Sequence, residues 1–416
     1  PKAAASWAQA AQAYERAGNY GEAALAWTEA ASIHEQEHAP QGQVQALIHL
    51  GYALQQVGQH HKAVVVLQAA RRIAEQAHNN GLLAASLGQL GKASAALGND
   101  RIALQFFNDA LTLARQEERS PLVAVLLNDL GNTLAAQGNA SEAISAYMES
   151  TILARGTGQS ALSMTALINA AMASIDDGQF AQAKDRLELA YRQLSELPDS
   201  HDKAFGLLNL ALGYEDLRPQ ISPERTLLVQ LDPTALPGTR GIRLKPRQIA
   251  SSADALRTPE QPNDRSSLTV APPNSSTGSD QQLFRARSEQ FLREAAAMAT
   301  RIGDPVAESY ALGYLGQWYE QTRQFPEALD LTRRAVFAAQ QVNAPESLYR
   351  WHWQTGRILA ATGMQDGAIK AYRRAISTVQ PIRHEFSGYQ GRRHSFRDSI
   401  GPVFYELADI LLKRAA

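Results

Sequence analysis

The chain is expected to fold as an all-α, right-handed superhelical solenoid of about eight helix hairpins, broken by one long loop insert and closed by a C-terminal capping helix. Two observations predict this class. A small residue returns every forty positions, at Ala11, Gly51, Gly91, Gly131, Ala171 and Ala211, and then, after one interruption, at Gly316 and Gly356. Within each unit a second small residue follows at Ala23, Ala63, Ala103, Ala143, Ala183, Ala328 and Ala368, and a third at Ala30, Ala70, Ala110, Ser150, Ala190, Ala335 and Ala375. A fixed period of this size marks a stack of like units, none of which can bury its apolar face alone.

Each unit reads as two helices joined by a short turn. A glycine at Gly18, Gly58, Gly98, Gly138, Gly178 and Gly363 separates the first mark from the second. Around Gly131, the residues Val125, Leu126, Leu127, Leu130 and Leu134 give the first helix an apolar face at helical spacing. The second helix of that unit carries Ala143, Ile144, Tyr147 and Ile152. Small residues at fixed points let helices approach, and Trp27, Phe107, Tyr147 and Tyr372 fill the space between neighbouring pairs. Breakers separate the units: Ala39-Pro40, Asn79-Asn80-Gly81, Ser120-Pro121, Leu197-Pro198, Asp304-Pro305 and Ala344-Pro345.

These residues resemble the tetratricopeptide repeats. Leu90-Gly91, Leu130-Gly131 and Leu315-Gly316 followed by Tyr319 are similar to that family's Leu-Gly-x-x-Tyr core, and the alanine and aromatic that follow match its second helix. The usual unit is 34 residues and this one is 40, which is similar to the lengthened repeats of kinesin light chain.

The sixth unit holds the interruption. Its first helix is legible from about Lys203 to Leu217 and its second from about Gln282, where Ser288, Leu292 and Ala295 fall back into step. The stretch between is rich in proline, serine, arginine and asparagine, a composition that buries too little apolar surface to offset chain entropy. Its one apolar run, Thr226 to Leu231, is expected to lie on adjacent helices. The chain therefore divides into 1–217 (five units and the first helix of the sixth), a 218–281 insert, 282–381 (the rest of the array), and 382–416 (a basic loop and the capping helix).

Composition closes several functional classes. A net charge of −1 argues against a bulk nucleic-acid or anionic-membrane binder, and the absence of cysteine removes thiolate metal sites, disulfides and cysteine nucleophiles. No apolar run approaches the roughly 20 residues that a bilayer span needs, and no signal segment is legible, so a cytoplasmic location is expected. His34-Glu-Gln-Glu-His38 has the spacing of a zinc-protease helix, but it lies at a helix end directly before Ala39-Pro40, where a third ligand is hard to supply. Gly88 to Ser94 has the wrong spacing for a phosphate loop and sits mid-helix. Asp176-Asp177-Gly178 reads as a turn, and His60-His61 as exposed loop histidines. No catalytic residue, metal or cofactor is expected.

Function is then sought on the surface. In tetratricopeptide proteins a stripe on the first helix lines the concave groove, and here it holds Asn128, Asn132, Asn169 and Asn209, with Tyr52, Lys92, Gln317 and Arg357 extending it. An asparagine offers both donor and acceptor, as an extended peptide backbone requires. The resemblance to kinesin-light-chain repeats implies a peptide-binding groove, whereas the family's carboxylate clamp is not matched. The segments Trp351–Arg357, Ala371–Arg383 and Ser395–Leu412 are similar to the stretch that precedes the caspase-like domain of bacterial CHAT proteins. That resemblance implies a recognition or regulatory arm for such a domain. A second expectation is a ligand- or pheromone-sensing module of a bacterial transcriptional or signalling regulator. Arg383, Arg392, Arg393 and Arg397 form a candidate loop for an acidic partner.

Overall fold

The computed structural model describes residues 2–16, 19–217, 277–342, 344–380 and 396–415, and among them there is no strand. The helices are α1 (Lys2–Arg16), α2 (Tyr20–Gln36), α3 (Pro40–Gln56), α4 (His60–Gln76), α5 (Asn80–Ala96), α6 (Asp100–Gln116), α7 (Ser120–Gln137), α8 (Ala140–Gly156) and α9 (Ser160–Asp176). They continue as α10 (Phe180–Ser195), α11 (His201–Leu217), α12 (Thr277–Ile302), α13 (Pro305–Gln321), α14 (Phe325–Gln341), α15 (Pro345–Ala361), α16 (Gln365–Val379) and α17 (Phe396–Ala415). Odd and even helices alternate as the first and second members of stacked hairpins. The fold is the all-helical solenoid that the forty-residue period predicts.

The backbone beats twice as fast as the side-chain pattern. Helices start at Tyr20, Pro40, His60, Asn80, Asp100, Ser120, Ala140, Ser160 and Phe180, twenty residues apart. Two residues before most of these starts the chain passes through left-handed backbone, at His38, Gly58, His78, Gly98, Glu118, Gly138, Gly158 and Gly178. One turn geometry therefore serves both within and between hairpins, and only about half of its positions are marked by glycine. Proline at the first helical position starts α3, α7, α13 and α15, where the missing N–H costs nothing. Asn79 and Asp304 cap α5 and α13 by accepting from the N–H of Leu82 and Ala307.

The first small mark is a seat for the residue sixteen positions on. A Cβ at Gly51 would stand 2.5 Å from Leu67, at Gly91 2.8 Å from Phe107, at Gly131 2.6 Å from Tyr147 and at Gly356 3.0 Å from Tyr372. Glycine at these points lets a large side chain of the second helix lie against the first helix's backbone, and the resulting contacts are fully buried. The hairpins then share their cores. One continuous cluster runs from Met164 on α9 to Ile358 on α15, and smaller clusters hold the earlier units.

Two details differ from the sequence reading. Ile152, placed on the apolar face of its helix, is 60% exposed, because the stripe that faces the core is set by Ala143, Tyr147, Ser150 and Ala154. His60 is not an exposed loop residue; it opens α4 and is buried, while His61 beside it is exposed. The helix after the interruption begins at Thr277 and packs on α11. The run Thr226–Leu231 and the arginines Arg383, Arg392 and Arg393 lie outside the described residues, and Arg397 belongs to α17 without a described side chain. That last helix closes the array, with Val403 and Ile410 packed among Trp353, Ile369 and Tyr372. No described helix is long and apolar enough to cross a membrane.

Candidate functional site

The odd helices touch one another from unit to unit, α3 with α5 and so on to α15, while the even helices are spread further apart. The odd helices therefore line the inner side of the curve, and their inward residues are the candidate site. Two positions dominate it.

The first holds Tyr52, Lys92, Asn132, Gln317 and Arg357, all half-buried and all in the same place on their helices. Tyr52 meets Tyr20 edge to face, ring centroids 6.0 Å apart, and the Lys92 ammonium sits 5.9 Å over the Tyr52 ring. Burial holds the Tyr52 hydroxyl well above the usual tyrosine range, and the neighbouring Tyr20 and the Glu15 carboxylate push the same way, so it stays a neutral donor. Lys92 also lies 3.7 Å from Asp129. Arg357 forks onto Glu320 at 2.8 and 2.9 Å, and its guanidinium stacks 4.9 Å over Trp353.

The second position lies deeper. Asn169 and Asn209 do not share the place of Asn128 or Asn132; they are in step with His49, Gln89 and Asp129 before them and with Tyr314 and Gln354 after. Every first helix from the second unit to the eighth is polar here. Exposure falls along the series, from half-buried His49 and Gln89 to 8% for Asp129, 5% for Asn169, 4% for Asn209, 3% for Tyr314 and 2% for Gln354.

Many of these groups pair across the boundary between units. Asn169 donates to Asn128 Oδ1 at 3.0 Å and to Asn132 Oδ1 at 3.3 Å, and Tyr147 donates to the same Asn132 oxygen at 2.8 Å. Gln55 donates to Gln89 at 3.1 Å, Glu15 lies 3.8 Å from His49, and Gln354 donates to the Gly313 carbonyl at 3.0 Å and to Thr332 at 2.7 Å. Three of the four asparagines assigned to the groove, Asn128, Asn169 and Asn209, are thus buried below its surface, and only Asn132 is half-exposed beside Lys92. The sequence signal for the deeper series was present as a polar residue every forty positions. It was missed because its residue type changes in almost every unit.

Other candidates are also placed. His34 is in α2 and packs against Gly42, whereas His38 lies beyond the helix end in left-handed backbone at φ 52, so the two imidazoles do not share a helix face. Among the described residues no three metal-ligating side chains gather. Gly88 is mid-helix in α5, and Asp177 accepts from Gln179 and Ser141 at a turn. A recess of about 580 Å3 at the start of α9 is lined by Gln159, Ser160, Leu162, Thr165 and Asp202, a set without a nucleophile and base in contact. On the outer edge His201 and Asp304 pair at 2.5 Å, and Arg301 pairs with Asp199, joining α11 and the loop before it to the other side of the interruption.

A family model described as tetratricopeptide repeat matches residues 42–116 and 82–156. A search of the curated proteins finds no match. Among solved structures, the chain is similar to kinesin-light-chain TPR-like repeats of Podosopora anserina, with 21% identity over 42% of this chain and 85% of that one, at TM-score 0.36. It is similar to a tetratricopeptide repeat protein from Parabacteroides merdae, with 13% identity over 88% and 98%, at TM-score 0.40. It is also similar to a human IFIT1 dimer with m7Gppp-AAAA, with 12% identity over 99% and 82%, at TM-score 0.49.

Proposed function

We propose that this chain, an α-solenoid carrying tetratricopeptide repeats, is a non-enzymatic scaffold that binds an extended protein segment along the inner face of its first helices. The observation that carries this reading is the half-buried inner position shared by Tyr52, Lys92, Asn132, Gln317 and Arg357. It offers donors and acceptors of several kinds along one line, above the buried polar series that holds successive helices in place. Such a surface suits a peptide backbone with varied side chains better than one small molecule. Asn128, Asn169 and Asn209 act in this reading as the floor of the groove.

The finer reading, from the similarity of the last part of the chain to CHAT proteins, is a recognition or regulatory arm that works with a caspase-like domain. On it, residues 1–217 and 282–381 form the array around the 218–281 insert, and 382–416, with Arg383, Arg392, Arg393 and Arg397, faces an acidic partner.

Selecting peptides on the whole protein from a random library tests the groove. Selected peptides are expected to lose about tenfold or more in affinity with Lys92→Ala and Gln317→Ala combined. Peptides that bind both forms equally would place the site elsewhere.

A further inference from the structure

The first helix of the array carries a face that belongs inside a stack. Trp7 on α1 occupies the position filled by Leu47, Leu87, Leu127, Leu167, Leu207 and Leu312 on the first helices of the next six units. Five of those leucines are buried and Leu47 is half-buried, yet Trp7 is 43% exposed. Tyr14, one heptad on, is in step with Leu54, Tyr214 and Tyr319, all buried, and is itself 38% exposed. Terminal repeats of a solenoid ordinarily turn a polar face outward. This one presents two aromatic rings seven residues apart on one side of a helix.

What covers the equivalent face elsewhere is on view. Leu50 and Leu54 of α3 cluster with Trp27, Ala30 and Ala31 of α2; Leu127 of α7 clusters with Phe107, Ala110 and Ala114 of α6; Leu207 of α11 clusters with Leu187, Ala190 and Leu194 of α10. In each case the cover is the second helix of the preceding hairpin. Its packing face recurs as a large apolar residue, a small one three positions on, and a further apolar or small one four after that, as in Leu67, Ala70 and Ala74. Among the described residues nothing stands in that place against α1.

We propose that the Trp7–Tyr14 face of α1 is a docking site for an amphipathic helix of a partner protein, one bearing this large-x-x-small-x-x-x-small pattern, which extends the stack by one helix. The occupant is defined by the stacking interface that the array repeats along its length. A helix with an alanine at the middle position lets the Trp7 ring seat against its backbone, as Phe107 seats against Gly91. This site is separate from the inner groove and stands whether or not a peptide binds there.

The test uses the whole chain and a synthetic peptide of residues 100–116, the sequence of α6, held helical by a side-chain bridge on its solvent face because so short a helix is marginal alone. Calorimetric titration is expected to show saturable binding. Affinity should fall by about tenfold or more in Trp7→Asp with Tyr14→Asp, and should be kept in Leu25→Asp, which changes an exposed residue on the outer side of α2. Circular dichroism melts of the variants check that both fold. No saturable binding up to ~1 mM would overturn the proposal, as would binding indifferent to the aspartate pair. Self-association of the wild type that the aspartate pair abolishes, seen by sedimentation, would overturn it in favour of a second copy.

Discussion

At the scale of single residues, glycine has two separate jobs in this chain, and substitution distinguishes them. Gly178 lies at φ +77 with open space around its missing Cβ, so Gly178→Ala carries only the left-handed penalty, about 1 kcal/mol. Gly91→Ala instead drives a Cβ to 2.8 Å from the Phe107 ring inside a closed core, and is expected to cost more, about 1–3 kcal/mol. Urea melts of the two variants rank them. Truncating Asn169 removes a donor from two neighbouring acceptors at once. Asn169→Ala should destabilise by about 1–3 kcal/mol, because the Asn128 oxygen is left buried without it. His201 adds a pH term. Burial pulls its imidazole down, but the hydrogen bond and charge of Asp304, with Asp202, outweigh this and hold it above the ordinary histidine value. A raised folded pKa means stability that is complete below about pH 6.5 and fades as pH rises through the folded value. Asp304, held low against burial by the same pair and by the N–H of Ala307, loses its share only in acid. Between pH 6 and 9 the melting temperature of the wild type should therefore fall towards that of Asp304→Asn, which keeps a cap at α13 but not the charge.

At the scale of elements, each hairpin is built from two helices of nearly equal length and a three-residue turn used without regard to which helices it joins. Glycine marked the turn inside hairpins, and proline or Asn-Asn-Gly marked the boundary between them, so both kinds of turn were legible as punctuation. Their common backbone was not, because His38, His78, Glu118 and Arg323 adopt the left-handed conformation without the residue that signals it. These four positions carry strain that glycine would relieve. Glu118→Gly is expected to be neutral or to stabilise by up to about 1 kcal/mol, read as a rise in the urea midpoint at constant slope. Cap chemistry was legible only where Asn79 and Asp304 supply it; most helices here begin with no side-chain cap, held by the turn's own backbone bonds.

At the scale of the whole molecule, stability follows from neighbours. The cluster from α9 to α15 is continuous and rich in rings, with Tyr310, Tyr314 and Trp351 in edge-to-face contact, while the units before it hold smaller, separate clusters. In a stack where each unit contacts only the next, local opening tracks local burial. Amide exchange is expected to be faster in α1–α4 than in α9–α15, and uniform protection would show that the array unfolds as one block. The pairs His201–Asp304 and Arg301–Asp199 bind residues about a hundred positions apart, so the solenoid is continuous where the chain is interrupted.

The period, the class of fold, the seats for large side chains and the place of the interruption were determined by the sequence alone, because each is a local rule written again in every unit. The inner face was decided only by tertiary packing. Whether an inward asparagine meets solvent or the next helix depends on how closely first helices approach across a boundary, and that distance is set by residues of both units together. So Asn132 stands half-open beside Lys92, while Asn128 and Asn169, chosen by the same pattern, close on each other beneath it.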